Sequence, residues 1–201
     1  MIEASKLVLA FGISDELPSV SGLAERWGSS VLHCPYCHGY EFSGQRFGVL
    51  NISLMSAHQA MLIAEWGPTT FYLNGASDVD ASVLAELQKR GVVIETTPVK
   101  ALHGKDTQLS VIELADGRRL SANALFLGPR NHFNSDIGRQ LGCEIDEAPF
   151  GQTIRTDLQM MTTVPGVYAA GDITRGAHTV TWACADGVTA ALALHRSLVF
   201  E

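Results

Sequence analysis

The sequence predicts an α/β protein, and three stretches carry that reading. Residues 45–75 run strand, helix, strand, the beginning of a βαβ unit. Residues 99–127 alternate apolar and polar side chains around Ala115-Asp116-Gly117, as an antiparallel meander does. Residues 167–170 form a short apolar run followed by Gly171-Asp172, and open α/β sheets place ligands at such carboxyl ends. At 201 residues the chain has room for one large or two small domains.

Composition narrows the function classes. Apolar residues make up 46% and charged residues 17%, enough for a packed core and unlike a disordered chain. A net charge of -7 argues against nucleic acid or anionic lipid as the main partner, because both reward a basic surface. No apolar run approaches the ~20 residues of a membrane helix. Met1 to Lys6 shows no basic segment leading into an apolar one, so no signal peptide is expected and the cytoplasm is the expected compartment. Four cysteines are too few for a secreted disulfide scaffold.

In chain order, Lys6 to Gly12 reads as a buried strand closed by a turn, and Leu17-Pro18 and Gly22-Leu23 mark a loop. Phe47 to Leu50 is a strand, and Leu54 to Trp66 carries helical spacing up to the stop at Gly67-Pro68. Thr69 to Leu73 is β-branched and aromatic, a second strand ending at Asn74-Gly75. Asp80 is placed to cap a helix that runs through Val83, Leu84 and Leu87 to Gly91. Val92 to Glu95, Val99 to His103, Leu109 to Leu114 and Arg119 to Leu127 are the following strands. Beyond Pro129 the chain reads as loop-rich until Val164. Ala183 to Leu198 then reads as a helix whose small residues let a neighbour or a flat ligand come close.

The chemistry concentrates in Leu32-His33-Cys34-Pro35-Tyr36-Cys37-His38-Gly39-Tyr40-Glu41. Cys-x-x-Cys spacing lets two sulfurs join and separate, Pro35 stiffens the turn, and His38 is placed to tune a thiolate or carry its proton. The same spacing also serves as half a zinc site, or as two inert thiols. Zinc asks for four ligands, and no second Cys-x-x-Cys or His-x3-His pair follows, so a redox pair is the favoured reading and no metal is expected. Asp172 is suited either to a sugar hydroxyl of a polar cofactor or to capping the segment after it. His33 is placed to tune the pair or simply to pack. His58 reads as structural, His103, His132 and His195 have no partner that sequence alone can show, and Cys143 and Cys184 read as small buried hydrophobes.

The order of these motifs, through Thr162 to Asp172 and the alanine-rich helix, resembles the thioredoxin reductase-like flavoproteins, the class II pyridine nucleotide-disulfide oxidoreductases. The Cys-x-x-Cys-His stretch is similar to the branch that includes dithiol oxidases. The resemblance implies a Rossmann-like FAD/NAD(P)-binding architecture. Residues 1–25 and 131–201 would be a discontinuous, partial FAD-binding domain, and residues 26–130 a pyridine-nucleotide-type domain carrying the cysteines. It further implies FAD as cofactor, a dithiol or disulfide as substrate and a homodimer. Cys37 would face the flavin, Cys34 would exchange with substrate and His38 would be the acid-base group. Gly12, Gly171, Asp172, His178, Thr179 and Ala183 would lie on the cofactor side.

Three departures from the family pattern set further expectations. The sequence has no Gly-x-Gly-x-x-Gly, as if it began after the flavin fingerprint or had lost that site. After Val49-Leu50 the nicotinamide loop reads Asn51-Ile52-Ser53-Leu54-Met55-Ser56 without glycine, and Leu73 to Ser77 offers no arginine for a 2′-phosphate. Both argue against NADPH, and so favour an oxygen-using dithiol oxidase over a reductase, with a non-catalytic remnant as the other rival. Third, His178-Thr179 stands where related reductases carry Arg-Gln.

Overall fold

The computed structural model describes residues 3–200. Met1 and Ile2, which belong to the stretch read for a signal peptide, and Glu201 lie outside the described residues. The chain divides into two compact units, Met1–Glu16 with Arg130–Glu201, and Leu17–Pro129.

The chain opens in the first unit with β1 (Leu7–Leu9) and β2 (Ile13–Glu16). The second unit then holds β3 (Val31–Leu32), α1 (Pro35–His38), β4 (Phe47–Leu50), α2 (Ser56–Ile63), β5 (Thr69–Tyr72), α3 (Ala81–Lys89) and β6 (Val93–Glu95). It continues through β7 (Val99–His103), β8 (Val111–Leu114), β9 (Arg119–Ser121) and β10 (Ala124–Phe126). The first unit resumes with β11 (Arg130–Phe133), α4 (Ile137–Gln140), β12 (Ile145–Ala148), β13 (Gly151–Ile154), β14 (Val167–Ala169) and α5 (Val180–Phe200).

The second unit is built on a five-stranded parallel sheet in the order β3-β10-β4-β5-β6. A parallel sheet is stable when both faces are covered, and the period of two along each strand feeds two separate cores. Phe47, Val49, Phe71, Ala124 and Phe126 point to one face, against Ala60 and Ile63 of α2 and Leu87 of α3. Leu50, Tyr72 and Leu125 point to the other, against Leu102, Ile112 and Leu114 of the antiparallel meander β7-β8-β9. Gly48 lies where side chains of the neighbouring strands and the meander crowd the sheet: a Cβ there would stand 2.8 Å from Leu125, 2.9 Å from Tyr72 and 3.2 Å from Ile112.

Local signals account for several boundaries. Asp80 caps α3 by accepting the Ser82 amide at 2.7 Å, and Gly91 closes that helix at φ +77. α2 starts at Ser56 rather than Leu54, because Leu54 projects into solvent from the preceding loop. The expected strand from Arg119 to Leu127 is two strands with different sheets. The Asn123 side chain accepts the Arg46 amide at 3.2 Å, and this turns the chain from the meander into the parallel sheet.

In the first unit, β1 pairs in parallel with β14, β2 pairs antiparallel with β11, and β12 and β13 form an antiparallel hairpin. The segment from Pro129 to Val164, read as loop-rich, holds β11, α4, β12 and β13. Its strands are short and polar outside, so the apolar alternation that marks a strand in sequence is weak there. Leu9, Ile154, Val167, Ala169, Ile173 and Cys143 form one core cluster, and Tyr168, Ala170 and Ala190 another.

Filling the slot at Gly48 tests the two-sided burial. Gly48→Ala is expected to lower unfolding stability by about 1–3 kcal/mol through overpacking, measured as a shift in the urea midpoint.

Candidate functional site

In the second unit the cysteine turn leaves the carboxyl end of β3, the edge strand of the parallel sheet. Several contacts hold its entry. Arg26 is buried and donates to the carbonyls of Gly22 at 2.8 Å and Gly104 at 3.1 Å, bracing the loop that leads into β3. Gln59 of α2 donates to the His33 carbonyl at 2.5 Å, immediately before Cys34. Behind the motif, Gly39 packs so closely under Trp66 that a Cβ would stand 3.0 Å from the indole, and the Gly39 amide reaches the Pro35 carbonyl at 2.6 Å. Gly39 is therefore a packing requirement of the turn.

Cys34 adopts extended backbone at the start of α1 and is partly buried, whereas Cys37 one turn later is exposed; both are free thiols. The neighbouring Cys34 side chain as a hydrogen-bonding partner, then partial burial and the charge of Cys34, push the Cys37 thiol up from its ordinary value. His38 Nδ1 lies 3.0 Å from Glu41 Oε2, one helical turn on. With Nδ1 donating to the carboxylate, Nε2 is left as the accepting nitrogen. Glu41 was quoted in the motif but given no role from sequence; its i, i+3 spacing from His38 was the available signal. Among the described residues no group of three or more His, Cys, Asp or Glu is placed to hold a metal ion.

The loop after β4 is also in the second unit. Asn51, Ile52, Ser53 and Leu54 line a cavity of about 550 Å³ with Ala57, Ala76, Asp78, Val79, Asp80 and Val83. It lies at the carboxyl ends of β4 and β5, where sheets of this kind receive ligands.

In the first unit, Asp172, Thr179 and Ala183 come together around a second cavity, of about 310 Å³, with Val180 and Cys184. Asp172 caps nothing: the short 3-10 turn Gly171–Thr174 has no side-chain cap, and the Asp172 carboxylate has no partner among the described residues. Gly171, at φ +81, sits against Ala183, 3.6 Å from where its Cβ would be. His178 instead turns its Nε2 to the Arg175 carbonyl at 3.0 Å, and Gly12, at φ +69, lies in the turn between β1 and β2. Neither lines the cavity.

Other sequence expectations change here. Cys184 is exposed at the cavity rather than buried, although Cys143 is buried beside Thr162. His58 is exposed on α2, His103 pairs with Glu113 at 2.7 Å and His132 with Glu16 at 3.5 Å. Gly187 makes no close approach, since a Cβ there would meet nothing within 4 Å. Sequence reasoning also passed over Arg175 and Asp186, which fix the start of α5. Arg175 donates to Asp186 through two nitrogens, Nε at 2.7 Å, and lies over the Trp182 ring at 5.6 Å.

A parallel Rossmann-like sheet with a redox-spaced cysteine turn at its edge strand defines an α/β oxidoreductase class. Residues 1–187 match the family described as pyridine nucleotide-disulphide oxidoreductase. The chain is 31% identical to thioredoxin reductase sirT of Leptosphaeria maculans over 92% of its own length and 60% of that protein. It is 28% identical to the thioredoxin reductase of Helicobacter pylori over 96% of its length and 65% of that protein. A crystal structure of an oxidoreductase from Agrobacterium tumefaciens is similar with a TM-score of 0.91 and 44% identity, over 98% of this chain and 65% of that one. The chain belongs to the pyridine nucleotide-disulphide oxidoreductase family, and it spans about three fifths of the length of these relatives.

The Arg175 hydrogen bonds hold the Asp186 carboxyl below the usual carboxylate range, against the opposing pull of burial. A depressed folded pKa stabilises the fold above the unfolded value of about 3.9, and the contribution is lost as pH falls through the folded value. Asp186→Asn is expected to remove that acid-side loss, so that the wild-type advantage over the variant shrinks as pH falls below about 4 in denaturation curves.

Proposed function

We propose that the chain carries thiol-disulfide exchange through Cys34 and Cys37, with the first unit as the flavin side and the second as the nucleotide-type side. The observation that carries this reading is the placing of two free thiols, Cys34 and Cys37, on one turn of α1, with the His38–Glu41 pair immediately beside Cys37. The family likeness makes Cys34 the sulfur that exchanges with substrate, and the raised Cys37 thiol agrees with it.

The exchange balances as follows. Cys34 thiolate attacks one sulfur of a substrate disulfide, forms a mixed disulfide and releases the other sulfur as a thiolate. Cys37 gives its proton to His38 Nε2 and displaces the second substrate sulfur, closing the Cys34–Cys37 bond. Two electrons have passed to the substrate, which leaves as a dithiol once His38 and water return the protons. Run in reverse, the same steps oxidise a dithiol. Glu41 orients His38 and stabilises its imidazolium.

The residues present fit one end of FAD. Asp172 offers an acceptor without an internal partner, and Thr179 and Ala183 complete a cavity within the volume range of small-molecule sites. FAD, when bound, supplies a two-electron carrier for the dithiol. The sequence contains no Gly-x-Gly to cradle its pyrophosphate. Family likeness supports a dithiol or disulfide substrate and a homodimer. A second reading, a dithiol oxidase independent of NADPH, is favoured by the glycine-free loop at Asn51 to Ser56.

Cys37→Ser is expected to abolish dithiol turnover, and Cys143→Ser to leave it unchanged; equal losses would move the redox centre elsewhere. Glu41→Gln is expected to slow the exchange roughly tenfold or more and to shift its pH profile, with wild-type melting retained. A purified chain that stays colourless after incubation with FAD would remove the flavin from this reading.

A further inference from the structure

The cavity at the ends of β4 and β5 occupies the position where this sheet type binds the phosphates of a dinucleotide, and the backbone amides of the loop are the groups that would bind them. Two of those amides are already taken. Ser56 Oγ accepts from the Ile52 amide at 3.1 Å and from the Ser53 amide at 3.1 Å. Its hydroxyl lies 3.3 Å from Ser53 Oγ, and its own amide returns to the Ser53 carbonyl at 3.0 Å. Ser56 is only 1% exposed, so water does not compete for this acceptor. Asn51 is engaged as well, its amide donating to the Tyr72 carbonyl at 2.9 Å.

We infer that Ser56 is the specificity-determining residue of this cavity: its hydroxyl stands in for a phosphate oxygen, closes the loop on itself and excludes dinucleotides. The loop is not merely short of glycine. An anion entering it must break two hydrogen bonds to a buried acceptor before forming its own, and an amide–hydroxyl bond of this kind contributes about 1 kcal/mol net. The rim adds to the exclusion, because Asp78 and Asp80 line the cavity and no lysine or arginine does. This inference rests on the NADPH-independent reading and names the group that enforces it.

The test uses the full chain and isothermal titration with NADPH and with inorganic pyrophosphate. Wild type is expected to bind both more weakly than about 1 mM. Asn51→Gly/Ile52→Gly/Ser53→Gly, which clears the Cβ atoms but keeps Ser56, is expected to stay as weak. Adding Ser56→Ala to those three is expected to tighten binding about tenfold or more. Amide hydrogen exchange gives an independent reading. Protection at Ile52 and Ser53 is expected to fall about tenfold in Ser56→Ala and to persist in Ser56→Thr, which keeps the hydroxyl.

Saturable NADPH binding by wild type would overturn both this inference and the NADPH-independent reading. Tight binding by the triple glycine variant alone, no gain on adding Ser56→Ala, or unchanged protection in Ser56→Ala would overturn the role of Ser56 and leave the thiol chemistry untouched.

Discussion

The structure of the second unit depends on a parallel sheet being buried on both sides. β4, β5 and β10 alternate their side chains so that Phe47, Val49 and Phe126 meet helices while Leu50, Tyr72 and Leu125 meet the meander. Neither cover works alone, since a parallel sheet with one wet face would expose half of these side chains. Once both faces are closed, open ground on the sheet lies at the strand ends. There the chain places the cysteine turn after β3 and the serine-closed loop after β4.

The chemistry then follows from small local arrangements on a rigid frame. Two thiols sit on one helical turn, an imidazole next to them is oriented by a carboxylate one turn away, and a glycine packs beneath an indole. The His38–Glu41 contact is exposed, and a surface pair of this kind adds little to stability. Its value lies in fixing which ring nitrogen can accept a proton.

Much of this was legible in the sequence where one residue type has few physical alternatives. Asp80 before a helical repeat, glycine at Gly91 and the apolar runs at Phe47 to Leu50 and Thr69 to Leu73 each admit one economical reading. The cysteine spacing was equally plain. What escaped were features set by tertiary neighbours. The break between β9 and β10 comes from Asn123 meeting Arg46, 77 positions away, and periodicity cannot show that. The short strands between Arg130 and Ile154 carry too few apolar residues to announce themselves. Cys184 looked buried because alanines surround it in sequence, yet a helix turns consecutive residues to different sides and this one faces outward. At Asn51 to Ser56 the missing glycines were visible, but the hydroxyl that engages the loop was not, because its partners are backbone amides.

The helix α2 has a mechanical consequence. Ser56 fastens its first turn to the loop, and Gln59, three residues further on, grips the peptide carbonyl that introduces the first cysteine. One stiff rod thus carries both attachments. Both attachments sit within its first turn, so a shift of that turn moves the seal of the loop and the sulfur-bearing turn together.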